Sequence, residues 1–158
     1  MRTVSLNYSL AENADAVFET ISGFDRYKLY ADAVNNVAID NVKDNSCEST
    51  WEVKFRDGLL KWREKDVFIR DQYRIEFFQL KGDLELFDGY WSVQDVGSHK
   101  SILYFEARLD LGLPQLEKLL EPIAGQALSE NIDSIVAGLF GNRLLPVESD
   151  SNQFVESV

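Results

Sequence analysis

Apolar and polar residues alternate over Thr3–Ser9, with Val4, Leu6 and Tyr8 set against Thr3, Ser5 and Asn7, and this predicts a strand. Asn13 then precedes Ala14, Val17, Phe18 and Ile21, whose spacing of three and four predicts a helix capped by Asn13 and ended by Gly23. Asp25–Tyr30 reads as a short second helical turn. From Val34 the helical spacing disappears. Runs over Val34–Val42, Ser46–Phe55, Leu59–Arg70, Tyr73–Leu80, Leu84–Val96 and His99–Asp110 predict six strands in succession. Asp57-Gly58 is the strongest hairpin signal between them, and Asp71-Gln72, Lys81-Gly82-Asp83 and Gly97-Ser98 mark further turns. Gly112 and Pro114 stop the last strand and open a helix that runs to Phe140, about 40 Å long at 1.5 Å per residue. Leu116, Leu120, Ile123, Ala127, Asn131, Ser134, Ile135 and Gly138 lie near one face of it, and Pro122 is expected to kink or break its first turns.

Strands joined by tight turns form an antiparallel meander, and a sheet of that size needs a cover for its apolar face. The last helix is the element long enough to provide it. The predicted fold is therefore α+β: a curved antiparallel sheet of about seven strands wrapped around a long C-terminal helix, with two short helices between the first and second strands. Such a sheet does not close fully on one helix, so a ligand cavity is expected between them. Residues 1–145 read as one domain and 146–158 as a polar, flexible tail.

Composition narrows the functional classes. The 158 residues carry 16 Lys and Arg against 27 Asp and Glu, a net charge of −11. That balance disfavours general binding of nucleic-acid phosphates, and there is no polybasic segment for anionic lipid. Cys47 is the sole cysteine, so no internal disulfide forms. The alternating N-terminus lacks the apolar core of a signal peptide, and no apolar run reaches the ~18 residues of a membrane span. A soluble, cytoplasmic protein is the expectation. His99 is the sole histidine and falls in a predicted turn, which leaves no zinc set and no Ser–His–acid arrangement. No Gly-rich phosphate loop occurs. No cofactor or metal is expected.

The candidate chemistry lies on the fourth strand. Leu60, Trp62, Glu64, Asp66 and Phe68 share one face, which begins and ends apolar and so should point inward; Lys61, Arg63 and Lys65 share the solvated face. Glu64 and Asp66 would then be buried one step apart. Repulsion and desolvation raise the pKa values of such a pair, so one carboxyl can stay protonated while the other acts as a base. Alternatively the two acids pair with Arg56, Arg74 or Arg108 on neighbouring strands, or a one-residue slip turns them outward. Arg108 shares a face with Tyr104 and Glu106; if that face lines the cavity, Arg108 could polarise a carbonyl, and otherwise it forms a cross-strand ion pair. Tyr30, Trp51, Trp62, Phe77, Tyr90, Trp91 and Tyr104 are candidate walls for a flat or unsaturated ligand, or core. Asn131, among apolar neighbours, needs a partner: a ligand carbonyl, a strand carbonyl or a water.

The order of elements resembles the helix-grip fold of the START-like (SRPBCC) superfamily. Phe18, Ile21, Asp25, Tyr27 and Trp51 are similar to its opening motif, and Gly82-Asp83-Leu84 with Phe87, Gly89 and Trp91 resembles a strand shared by its polyketide cyclase/dehydrase and coenzyme Q-binding branches. Tyr104 and the helix carrying Pro114, Leu120, Pro122 and Asn131 complete a likeness over residues 3–142. The cyclase branch implies binding of a poly-β-ketone on an acyl carrier protein, aldol ring closure and dehydration. In its tetracenomycin-type members a tryptophan is followed four residues later by an arginine. Trp62 matches the tryptophan, Asp66 stands at the arginine's place, and Asn131 matches an asparagine of the last helix. The first functional expectation is thus cyclisation or dehydration of a hydrophobic polyketide-type chain, driven mainly by confinement. Carrier-protein docking would use the basic residues Lys54, Arg56, Lys61, Arg63 and Lys65. The alternative is non-enzymatic binding or transport of a quinone or other lipid.

Overall fold

The period-two pattern builds one long antiparallel sheet. A computed structural model describes residues 1–55, 58–146 and 155–157. β1 (Arg2–Leu10) leads into helix α1 (Ala14–Ser22), a 3-10 turn at Phe24–Arg26 and helix α2 (Tyr27–Tyr30). Six strands follow: β2 (Val34–Asp40), β3 (Ser46–Phe55), β4 (Gly58–Ile69), β5 (Arg74–Gly82), β6 (Leu86–Gly97) and β7 (Lys100–Asp110). A 3-10 turn at Pro114–Leu116 opens the long helix α3 (Glu117–Phe140), and β8 (Val155–Ser157) ends the order. The strands lie in the sequence β2-β3-β4-β5-β6-β7-β1-β8, so β1 closes the meander beside β7. Seven strands are long. The eighth adds three residues to the free edge of β1, inside the segment expected to be a loose tail; residues 147–154 of that segment lie outside the described ones. The expected Asp57-Gly58 hairpin falls partly on Arg56 and Asp57, also outside the described residues; Phe55 pairs with Gly58 across it.

Each strand buries alternate residues. Val4, Leu6, Tyr8 and Leu10 of β1 and Leu103, Phe105, Ala107 and Leu109 of β7 form the floor of the core, and the register pairs Leu6 with Phe105. α1 buries Ala14, Val17, Phe18 and Ile21, the positions its spacing marks. Asn13 precedes α1 with extended backbone but places no side-chain cap on it. Its amide oxygen lies 2.9 Å from Nδ1 of His99 in the β6–β7 turn instead. The expected break at Pro122 is absent: α3 is one helix from Glu117 to Phe140 with Pro122 inside it, and the irregular geometry lies upstream at Pro114–Leu116.

Close backbone approaches bend the sheet around the helix. At Gly89 on β6 a Cβ would stand 2.0 Å from the Glu106 carbonyl oxygen of β7 and 2.9 Å from the Phe77 ring. At Gly138 on α3 a Cβ would stand 1.8 Å from the Tyr30 carbonyl oxygen, so only glycine lets α2 seat its C-terminal end on α3. A bulge between Arg63 and Glu64 puts Leu80 of β5 out of register and turns the sheet beside Glu64. Among the described residues, no helix is long and apolar enough to cross a membrane.

Gly138→Ala should lower unfolding free energy by about 1–3 kcal/mol in urea titration, because the obstructing atom is backbone and cannot rotate away. A change within about 0.5 kcal/mol would show that α2 is not locked to α3.

Candidate functional site: an aromatic cavity with a buried carboxyl pair

Between the concave face of the sheet and α3 lies a cavity whose interior offers about 120 Å³ to the centres of water-sized spheres; including its mouth, the free space is about 970 Å³. Trp51 and Val53 of β3, Trp62 and Glu64 of β4, Phe77 of β5, Phe87 and Trp91 of β6 and Phe105 of β7 form the sheet side. Ala124, Leu128, Asn131, Ile132 and Ile135 form the helix side, and Phe24 and Tyr27 close one end. The rings lock one another: Trp51 stacks on Trp62 at 6.1 Å between centroids with 9° between planes, and Phe87 meets Trp62 edge-on at 5.3 Å. Such pairs add ~0.5–1.5 kcal/mol each beyond the area they bury.

Among the described residues, Glu64 is the one Asp, Glu, Lys, Arg or His in the lining, and it is 5% exposed. The Trp62 indole N–H donates to its Oε1 at 2.6 Å. Asp66, fully buried, stands one step further along the same strand face, behind the lining. Its Oδ2 accepts from Ser49 Oγ at 2.5 Å and from the Cys47 thiol at 3.7 Å, and Ser49 Oγ in turn accepts the Trp51 indole N–H at 2.8 Å. Both stacked tryptophans are thus tied to the carboxyl pair, one directly and one through a hydroxyl.

Burial drives Glu64 well above the usual carboxylate range, and the hydrogen bond and negative charge of Asp66 drive it further. Burial also raises Asp66, opposed by hydrogen bonds from Glu64, Ser49 and Cys47. The two acids therefore compete for charge, and the pair holds a proton at pH values where an isolated carboxyl has lost it. Asp66 Oδ1 is buried and has no hydrogen-bond partner among the described residues, which adds to the cost of ionising this carboxyl. Burial and the neighbouring Asp66 push the Cys47 thiol up to about 12, so it remains a neutral donor. No ion pair joins either acid among the described residues. Arg74 pairs with Glu76 and Arg108 with Asp88, both outside the cavity, and Arg56 lies outside the described residues.

Of the residues singled out from the sequence, Glu64, Trp51, Trp62, Phe77, Trp91 and Asn131 meet in the cavity, with Asp66 behind them. Four others do not. Arg108 is bidentate to Asp88 on the outer face, at 2.9 and 2.7 Å. Tyr104 is on the same face, its hydroxyl donating to Gln94 at 3.0 Å. Tyr90 carries the Arg74 guanidinium 3.8 Å above its ring. Tyr30, 57% exposed, ends α2 outside the lining. For the three on strands the reason is parity: Tyr90 neighbours the inward Trp91, and Tyr104 and Arg108 alternate with the inward Leu103, Phe105, Ala107 and Leu109. Asn131 takes the second of its expected partners, donating from Nδ2 to the Lys54 carbonyl at 3.0 Å. Sequence reasoning missed Ser49 and Cys47, although both share the inward face with Trp51 and the hairpin sets Ser49 opposite Glu64 and Cys47 opposite Asp66. It also missed Phe24, Tyr27, Phe87 and Phe105 as walls.

Residues 11–136 match the family described as polyketide cyclase / dehydrase and lipid transport. The chain belongs to this family. Solved structures share its helix-grip fold. A protein from Thermus thermophilus superposes with a TM-score of 0.80 at 19% identity, over 87% of this chain and 93% of the other. The Zhui aromatase/cyclase from Streptomyces sp. R1128 gives 0.80 at 12% identity, over 90% and 94%. A START superfamily protein from Mycobacterium smegmatis gives 0.77 at 15% identity, over 90% and 99%. No curated protein matches the sequence. On the inner face of β4, Asp66 is backed by Ser49 and Cys47 of β3.

The raised carboxyl pair has a stability signature. An acid whose pKa is higher folded than unfolded stabilises the fold below its unfolded value and loses that contribution as pH rises through the folded value. Glu64→Gln removes this titration. The stability of wild type relative to Glu64→Gln should therefore fall as pH rises from the ordinary carboxylate range, near 4, towards neutral and beyond. Parallel urea-melt curves for the two proteins across that window would contradict the buried pair.

Proposed function

We propose that this member of the family binds a hydrophobic polyketide-type chain in the aromatic cavity and promotes its ring closure and dehydration. The observation that carries the reading is the Glu64–Asp66 pair, two buried carboxyls with raised pKa values of which Glu64 faces a mostly apolar chamber and Asp66 stands behind it. A transport cavity has no use for a costly buried carboxyl at its wall. An aldol closure does. One proton leaves a carbon between two carbonyls as that carbon bonds to a distant carbonyl carbon, and one proton is delivered to the new alkoxide oxygen. Loss of water then takes a second C–H proton and returns a proton to the departing hydroxyl. A pair holding one proton and one open site can serve both directions, with Glu64 in contact with the chain and Asp66 holding its proton. Stacked Trp51 and Trp62 and the edge-on Phe87 fold the chain so that its reacting carbons meet.

Delivery by an acyl carrier protein on the basic residues of β3 and β4 has weaker support. Arg63 is clamped by Asp40 and Glu48, and Lys61 by Glu52, so acids of β2 and β3 already offset that face. The lipid-binding alternative draws on the apolar walls and makes the opposite kinetic prediction.

Incubation with a thioester poly-β-ketone, followed by mass spectrometry of ring-closed and dehydrated products, tests the reading. Wild type should accelerate closure over the buffer rate, and Glu64→Gln should lose about 100-fold of that acceleration. Tight binding with no acceleration would overturn cyclisation and leave a carrier.

A further inference from the structure

The charge balance of the cavity points to a class of ligand that polyketide chemistry does not include. Among the described residues, the lining holds Glu64 and no lysine, arginine or histidine, and Asp66 stands directly behind it. Folding has already stripped both carboxyls of water: Glu64 is 5% exposed and Asp66 0%. Their hydrogen-bond donors are neutral groups, the Trp62 indole on Glu64 and Ser49 and Cys47 on Asp66, and Asp66 Oδ1 has no donor among the described residues. None of these supplies positive charge. Among the described residues no ion pair reaches either acid, so the pair holds a proton where a cation would otherwise stand.

The walls are suited to provide the rest of a cation site. Trp51 and Trp62 lie parallel, and Phe87 stands edge-on to Trp62, so ring faces and edges surround the space beside Glu64. An ammonium against tryptophan faces gains cation–π attraction, which grows when water is excluded. The usual obstacle to burying an ammonium is its own desolvation. That cost is offset here because the carboxyl pair is already desolvated before the ligand arrives; the ammonium takes the place of the proton the pair holds, and that proton leaves to solvent. A carboxylate ligand meets the reverse: a third acid beside a pair already too crowded to ionise fully, and no donor cation in the described lining.

We propose that the cavity takes hydrophobic amines in preference to neutral ligands of the same shape and rejects hydrophobic carboxylates, the ammonium seating against Glu64 beside the Trp62 ring. The proposal shares the chamber with the ring-closure reading but goes beyond it: a poly-β-ketone is neutral, so either can fail while the other stands.

Three probes with one ring and different heads test it: 2-phenylethylamine, 2-phenylethanol and 3-phenylpropionate, titrated calorimetrically into the full chain at near-neutral pH and physiological salt. The amine should bind at least about tenfold more tightly than the alcohol, and the carboxylate should not bind. The alcohol should compete with the amine, which separates cavity binding from attraction to the acidic surface. Glu64→Gln should bring the amine to the alcohol's affinity and leave the alcohol's within about twofold, the unchanged alcohol reporting an intact cavity. Wild-type binding of the alcohol as tight as the amine, amine binding that the alcohol cannot displace, or no amine binding at about 10 mM would each overturn the proposal.

Discussion

Two carboxyl groups placed one strand-step apart in an apolar chamber cannot both carry charge. Burial holds them away from bulk solvent, no ion pair among the described residues reaches them, and the charge of Asp66 raises the cost of ionising Glu64. Retaining a proton between them is the response available to the fold. Much of the surrounding structure follows from keeping that proton in place. Ser49 and Cys47 cross from β3 to hold Asp66, Trp62 holds Glu64, and the stack of Trp51 on Trp62 ties the two sets of hydrogen bonds into one rigid wall. The bulge beside Glu64 turns the strand at the point where its carboxyl enters the lining.

The chamber itself is a consequence of curvature. A seven-strand meander closed by β1 must bend to wrap one helix, and Gly89 and Gly138 mark where backbone meets side chain or backbone too closely for any Cβ. Large aromatic rings on the inner face keep the sheet from collapsing onto α3, whose positions lining the cavity include the small Ala124. The aromatase/cyclase and START neighbours share this curved sheet around one long helix. The chemistry at the wall is set by this chain's own β4, where Glu64 and Asp66 follow Trp62 on one face.

Most of the fold was legible because hydrophobic alternation sets both strand identity and strand face, and tight turns between successive strands leave little choice of topology. The inward direction of Glu64 and Asp66 followed from Trp62 and Phe68 on the same face. The same rule, applied across neighbouring strands, would have excluded Tyr90 once Trp91 was placed inward, and Tyr104 and Arg108 once Leu103, Phe105 and Ala107 were. Those three residues drew attention by their chemistry, and parity decides against chemistry on a strand. Ser49 and Cys47 were harder to see, since small polar residues carry no hydrophobic signal; only the hairpin register, which sets them opposite the two acids, reveals their role. Tyr30 failed for a different reason. Its place at the end of α2 depends on Gly138 of α3, far away along the chain, and no local pattern encodes that contact.

Everything argued for the cavity rests on the protonation state of one pair, and that state can be observed directly. Selective carbon-13 labelling of Glu and Asp carboxyls, with signals assigned through Glu64→Gln and Asp66→Asn, would follow each group by NMR as pH is varied. The account predicts that the Glu64 carboxyl keeps the chemical shift of a protonated acid at neutral pH. Two carboxyls that both ionise near the ordinary value of about 4 would contradict it.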